Sequence, residues 1–152
     1  KWVGGAETHI PATSVIAKEG LKNDLAAQAG IPRDIVNSPS SVWGKSIDVL
    51  NQSLVLDGAT VLRKADVSGT SGKAQAYSVD GHASVKEIQY HPGGGTHRSG
   101  EYYKLKLNNG TEIRVIDPSS GFSPGTITRN QIYFDPSGVR LKYERGQWKA
   151  WK

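Results

Sequence analysis

With 152 residues, 36% hydrophobic and 22% charged, the chain is long enough to bury a core of its own as a single domain, which excludes a mini-scaffold stapled by disulfides. It has no cysteine, and this removes disulfides, thiolate nucleophiles, zinc fingers and iron–sulfur clusters together. The net charge is +5, and all of the excess lies in the second half: residues 1–80 carry eight Lys/Arg against eight Asp/Glu, residues 81–152 eleven against six.

The N-terminal part, residues 1–58, predicts helices. Ser14 can cap one in which Val15, Ile16, Leu21, Leu25 and Ala26 broadly follow helical spacing, interrupted by Gly20 and stopped by Gly30 before Ile31-Pro32. After the Asn37-Ser38-Pro39-Ser40-Ser41 punctuation a second helix is expected, with Val42, Trp43, Ile47, Leu50 and Leu54 on one side and Asp57-Gly58 closing it. From Ala59 onward the pattern becomes short β-like runs: 59–64, 73–79, 84–90, 101–107, 111–117, 130–134 and 139–144. Helices first and strands afterwards argue an α+β fold, N-terminal helices packed on one face of a twisted antiparallel meander, with the other face open to solvent or ligand.

Two hairpins can be given a register. A three-residue Asn108-Asn109-Gly110 turn pairs Leu107 with Thr111, Leu105 with Ile113 and Tyr103 with Val115, which keeps the apolar residues together. The opposite face then carries Tyr102, Lys104 and Lys106 across from Ile116, Arg114 and Glu112, so Lys104 faces Arg114 directly, a costly pairing unless an anion bridges it or Glu112, Glu144 and solvent dissipate the repulsion, the preferred reading for this pair alone. A four-residue Asp135-Pro136-Ser137-Gly138 loop pairs Phe134 with Val139 and Ile132 with Leu141, leaving Gln131, Tyr133, Arg140 and Lys142 on the other side.

The chemistry concentrates in His91-Pro92-Gly93-Gly94-Gly95-Thr96-His97-Arg98-Ser99-Gly100 and the strand after it. Three glycines in a row let backbone amides approach something closely. The run lacks the Lys-Ser/Thr of a phosphate-binding Walker loop, and two histidines lack a clear third metal ligand, although Asp117 or Glu101 could supply one. Two histidines with Lys and Arg can cleave RNA without any metal or cofactor. One imidazole takes the 2′-OH proton, the other protonates the leaving 5′-oxygen, and cations hold the charge of the phosphorane. His91 and His97 are the candidate acid and base, in either order, and Lys104, Arg114 and Arg98 the stabilisers. Tyr102, Tyr133 and Arg140 can contact RNA, and Thr126 and Thr128 can hydrogen-bond a phosphate. Interleaved basic and aromatic residues suit a phosphate backbone with stackable bases. His9 and His82 read as turn residues, Trp148 and Trp151 as seals of a core edge, and Asp117 as a strand end whose carboxylate could orient a histidine.

The stretch HPGGGTHRSGEYYKLKLNNGTEIRVIDP resembles the toxin-domain pattern His-Pro-x-Gly-Gly-x-His-x-x-x-x-Tyr-Tyr-Lys followed by a Gly-centred hairpin and Val/Ile-x-Asp-Pro. It is similar to the C-terminal toxin modules of bacterial polymorphic and contact-dependent growth inhibition proteins, over roughly residues 85–145. The resemblance implies the fold of the barnase, EndoU, colicin and RelE group and a metal-independent ribonuclease, with tRNA the expected substrate. It places His91, His97, Tyr103 and Lys104 at or near the site, with Tyr103 in the core as support. It further implies a monomeric toxin delivered as the end of a larger secreted or cell-surface protein, acting in the target-cell cytoplasm and held in check by an acidic immunity protein over its basic face. The absence of methionine leads to the same expectation of a piece released from something longer, and no apolar run reaches the roughly 18 to 20 residues of a membrane span, nor is a leader visible. Residues 1–58 can be the remnant of an import module and residues 59–152 the β-rich catalytic part. The competing readings are a non-catalytic RNA- or anion-binding module and a metal-dependent nuclease.

Overall fold

A computed structural model describes residues 30–64, 74–93 and 100–151; the helix expected after Ser14, His9, His97 and Arg98 lie outside the described residues. Pro39 opens a 3-10 turn, Pro39–Val42, where its missing N–H leaves no bond unmade. Gly44, at φ +77°, then takes the chain out of helical conformation. Helix α1 starts afresh at Ile47–Leu56, with the Ser46 hydroxyl accepting from the Val49 amide at 3.2 Å. The second helix read from sequence is therefore split. Val42 and Trp43 precede α1 rather than belong to it, because only a glycine-type conformation at position 44 turns the chain into the Ser46 cap. Asp57 and Gly58 do end the helix, and the Ala59 amide returns to the Leu54 carbonyl at 3.1 Å.

The remainder forms one eight-stranded sheet in chain order: β1 (Thr60–Arg63), β2 (Gln75–Asp80), β3 (Val85–His91), β4 (Tyr102–Leu107), β5 (Glu112–Ile116), β6 (Gln131–Phe134), β7 (Arg140–Glu144) and β8 (Gln147–Ala150). The fold is α+β, one short helix with a mostly antiparallel open sheet. The expected meander is interrupted once, since β5 and β6 pair parallel. The chain crosses between them through residues 117–130, long enough to return β6 in the same direction as β5. β8 is an addition to the strands read from sequence. Arg145 and Gly146, both at positive φ (54° and 76°), form the two-residue turn that pairs Glu144 with Gln147.

The Asn108-Asn109-Gly110 hairpin has the expected register, with Leu105 opposite Ile113, Tyr103 opposite Val115 and Lys104 opposite Arg114. The β6–β7 register differs by one residue from expectation: Tyr133 pairs with Leu141 and Phe134 with Arg140. The cause lies in Asp135, whose carboxylate accepts from the Ser137 and Val139 amides at 2.9 Å each and so wraps a wider loop that closes at Val139. Arg140 consequently leaves the face that carries Tyr133.

Alternation along the strands sorts the side chains onto two faces. Val85, Ile88, Tyr103, Leu105, Ile113 and Val115 pack under Val42, Leu50 and Leu54 as the main core. On the reverse face, Tyr102, Ile116, Phe122, Tyr133 and Leu141 form a second cluster joined by Trp148. This face is thus covered in part by residues of the crossover, with Phe122 laid over it and the Trp148 indole donating to the Phe122 carbonyl at 3.0 Å. Trp148 seals a core edge as expected. Trp151 does not: it is 54% exposed, and the Arg140 guanidinium stacks 4.5 Å from its ring centre. Among the described residues, no helix is long and apolar enough to cross a membrane.

Candidate functional site

The helix-free face of β3–β6 carries the polar side chains in rows, because strand register places every second residue of each strand there. One row runs Gln89, Lys104, Arg114, Tyr133 across four strands. The next, on one side, is His91, Tyr102, Ile116; on the other side it is Glu87, Lys106, Glu112, Gln131. Rows two residues apart lie about 7 Å from one another along a strand. A cationic row is therefore bordered by an aromatic row holding His91 and by a row that alternates acid and base.

Arg114 is buried and tightly held. Its Nη1 donates to the Tyr133 hydroxyl at 2.9 Å, its Nη2 to Glu112 Oε1 at 3.0 Å, and its guanidinium lies 5.6 Å from the Tyr133 ring centre. Its Nε is buried with no hydrogen-bond partner among the described residues. Lys104, directly opposite, makes no hydrogen bond or ion pair among the described residues. Burial, followed by the Arg114 charge, brings its amine down to about 8. Two like charges placed opposite each other cost stability, which the Glu112 carboxylate on Arg114 offsets in part.

His91 ends β3 with only 7% of its surface exposed. Its ring stacks on Tyr102 at 4.3 Å with 5° between the planes, and Tyr102 in turn meets Phe122 edge-on at 5.0 Å. His91 Nε2 lies 2.8 Å from Gln89 Oε1. Gln89 Nε2 donates to Glu87 Oε2, and Lys64 Nζ donates to Glu87 Oε1 at 2.9 Å. Burial raises the Glu87 carboxyl, but hydrogen bonds from Gln89 and Lys64 and the charge of Lys106 outweigh it and hold the group below its ordinary value. Gln89 and Glu87 were not among the residues singled out from sequence. The signal was present, since Glu87, Gln89 and His91 occupy alternate positions of one strand and must share a face.

Of the remaining expected residues, Tyr103 lies in the helix-side core. Its hydroxyl donates to the Lys45 carbonyl at 2.7 Å, and burial with the nearby Glu101 pushes it up to about 12. Tyr133 lies on the cationic row but is 3% exposed, and it contributes its hydroxyl to Arg114 rather than an open ring to a base. Tyr102 is likewise buried, its ring engaged with His91 and Phe122. Arg140 stacks on Trp151 away from the row. Thr128 closes a turn, its hydroxyl donating to Asn130 Oδ1, and Thr126 is exposed in the crossover. Asp117 Oδ1 accepts from the Ser119 amide at 2.9 Å and its hydroxyl at 2.7 Å in the turn that follows β5. Glu101 accepts from the Tyr90 hydroxyl, which burial and that carboxylate push up. Among the described residues, no group of three His, Asp or Glu side chains could hold a metal ion. His82 is the expected turn residue, its Nδ1 accepting from the Ser84 and Val85 amides at 3.0 Å each. Gly93 turns out of β3 at φ +85°.

Gly100 re-enters the fold at a close approach. A Cβ there would collide with the Ser120 hydroxyl and lie 2.9 Å from Phe122 Cβ, so only glycine lets β4 begin beneath the crossover.

No protein-family model, curated protein or solved structure matches the chain.

Proposed function

We propose that the chain is a metal-independent endoribonuclease of the bacterial toxin type. The observation that carries this reading is Lys104 set opposite Arg114 on the helix-free face, one row away from His91. Glu112 is paired with Arg114, but Lys104 has no ion-pair partner among the described residues where a phosphodiester would supply one, and an imidazole stands about 7 Å along the strand. In the proposed reaction one histidine removes the 2′-OH proton, the 2′-oxygen bonds to phosphorus, and the P–O5′ bond breaks. The other histidine gives its proton to the departing oxygen, leaving a 2′,3′-cyclic phosphate and a 5′-OH. Lys104, with the Arg114 charge beside it, holds the charge that gathers on the phosphoryl oxygens. His97 and Arg98 are the proposed partners from the loop, with His91 and His97 acting as acid and base in either order.

The resemblance over residues 85–145 supports tRNA as the substrate and the barnase, EndoU, colicin and RelE group as the fold relatives. It also supports delivery as the C-terminal end of a larger secreted protein into a target-cell cytoplasm. A basic face of this kind suits an acidic immunity protein as its inhibitor. A second reading is favoured by the burial of His91. If the imidazole serves only to seat Tyr102, the Lys104–Arg114 row binds RNA or another polyanion without cutting it.

Incubation with total bacterial RNA in EDTA separates the two. The nuclease reading expects tRNA fragments with cyclic-phosphate ends. It further expects His91→Ala or His97→Ala to abolish cleavage, a loss on the order of 100-fold or more, with RNA affinity held within a few-fold. Intact RNA with the wild-type chain, together with retained affinity, leaves the binding reading in its place.

A further inference from the structure

The chain Lys64, Glu87, Gln89, His91 fixes more than the position of an imidazole. An ionised carboxylate only accepts hydrogen bonds, so the end of the Gln89 amide that faces Glu87 is its NH2. The other end, Oε1, therefore faces His91 at 2.8 Å, and a carbonyl oxygen also only accepts. His91 Nε2 must then carry a proton. This holds whether the ring is neutral or charged: neutral, it has its lone pair on Nδ1; charged, the proton it can release without breaking the Gln89 bond is the one on Nδ1. Lys64 Nζ at 2.9 Å and Lys106 Nζ at 3.9 Å flank the Glu87 carboxylate and keep it ionised, which keeps the direction of the whole chain from reversing. Burial reinforces the arrangement, since Glu87, Gln89 and His91 are all less than 9% exposed and a reversed amide would face a carboxylate with an oxygen.

We infer that Gln89 and Glu87 are positioning residues that lock His91 as its Nε2–H tautomer, so that the proton on Nε2 stays with Gln89 and is not the one His91 exchanges with substrate. The tautomer is a property of the folded chain alone; its catalytic consequence rests on the ribonuclease reading above. In that reaction no atom of Gln89 or Glu87 touches RNA. Their part is to spare the imidazole a rotation or a tautomer change at the moment of proton transfer, as the partners of functional histidines do elsewhere.

The test uses the full chain labelled with nitrogen-15 and long-range proton–nitrogen correlation spectra of the imidazole, recorded at a pH where the ring is neutral. The wild type is expected to show His91 with a protonated Nε2 and an unprotonated Nδ1. Glu87→Gln, in which the side chain at 87 can present either end to Gln89, and Gln89→Met, which keeps the volume and removes the acceptor, are both expected to give a mixture of tautomers. Cleavage by each should fall about 10- to 100-fold with RNA affinity unchanged. A predominantly Nδ1–H ring in the wild type overturns the inference, and so does a Glu87→Gln chain that folds and keeps both the wild-type tautomer and the wild-type rate. The expected tautomer in a chain that leaves RNA intact supports the lock and overturns the nuclease reading instead.

Discussion

The two faces of the sheet are built from alternate residues of the same strands, yet they solve different problems. Between α1 and the sheet, Val42, Leu50, Leu54, Ile88 and Leu105 are at most 1% exposed and pack in one hydrophobic cluster, so each contributes free energy by leaving water. On the reverse face β4 and β5 place Lys104, Lys106, Glu112 and Arg114, of which only Arg114 is fully buried, and no helix covers them among the described residues. The aromatic cluster of Tyr102, Phe122, Tyr133 and Trp148 frames these charges instead of replacing them. The contrast teaches that this chain holds its stability on one face and tolerates on the other a like-charge pair that Glu112 offsets only in part.

Cutting into the helix-side core should give the largest effect. Ile88→Ala removes a fully buried side chain that packs among the residues under α1, and a loss of about 2–5 kcal/mol in unfolding free energy is expected, measured by urea denaturation. A loss below about 1 kcal/mol would mean that the helix-side core does not act as one packed unit. Next comes the covered edge of the reverse face. Gly100→Ala drives a methyl into Ser120 and Phe122, and overpacking of this kind costs about 1–3 kcal/mol, with the crossover displaced and RNA cleavage reduced alongside. An unaltered thermal midpoint would show that the crossover does not press on β4.

The smallest effect on stability carries the opposite sign. Lys104→Met removes the charge that faces Arg114, so the thermal midpoint at pH 7 should rise slightly while RNA affinity falls and its salt dependence loses about one phosphate contact. The same lysine gives a pH signature. Its amine lies at about 8 in the folded chain, below its ordinary value, so between that pH and roughly 10.4 the unfolded chain binds more protons and wild-type stability climbs with pH. RNA affinity should decline over the same range as the amine loses its charge. Both slopes are expected to flatten in Lys104→Met, and a slope unchanged by the substitution would assign the titration to another group.

Much of this contrast was legible in the residues. The alternation Tyr103, Leu105, Leu107 against Tyr102, Lys104, Lys106, with Gly110 at φ +92° in the turn, fixes the β4–β5 register, because a slip by one would bury lysines. The β6–β7 register was not legible in the same way. Its strands are short, both faces mix polar and apolar residues, and the outcome was decided by hydrogen bonds to Asp135 that widen the loop by one residue. Parallel pairing of β5 with β6 left no local mark, since it depends on how far residues 117–130 travel before the chain returns. Gln89 was overlooked for a related reason. A glutamine carries no chemistry by itself, and its part emerges only when strand alternation sets it between a carboxylate and an imidazole.

The parallel seam between β5 and β6 also orders events in time. From α1 through β5 each strand pairs antiparallel with its predecessor, β2–β3 and β4–β5 across four residues each and β1–β2 and β3–β4 across residues 64–74 and 92–101. The last three strands attach through residues 117–130, the longest of the connections between neighbouring strands. Until they attach, Arg114 lacks the Tyr133 hydroxyl and the reverse-face cluster lacks Leu141 and Trp148. Amides of β2–β4 should gain protection in pulsed hydrogen exchange before those of β6–β8, and on a ribosome the C-terminal strands emerge last in any case. The row of Lys104 and Arg114 is therefore expected to be completed late: a chain cut short before β6 keeps the β4–β5 pairing but leaves Arg114 without the Tyr133 hydroxyl.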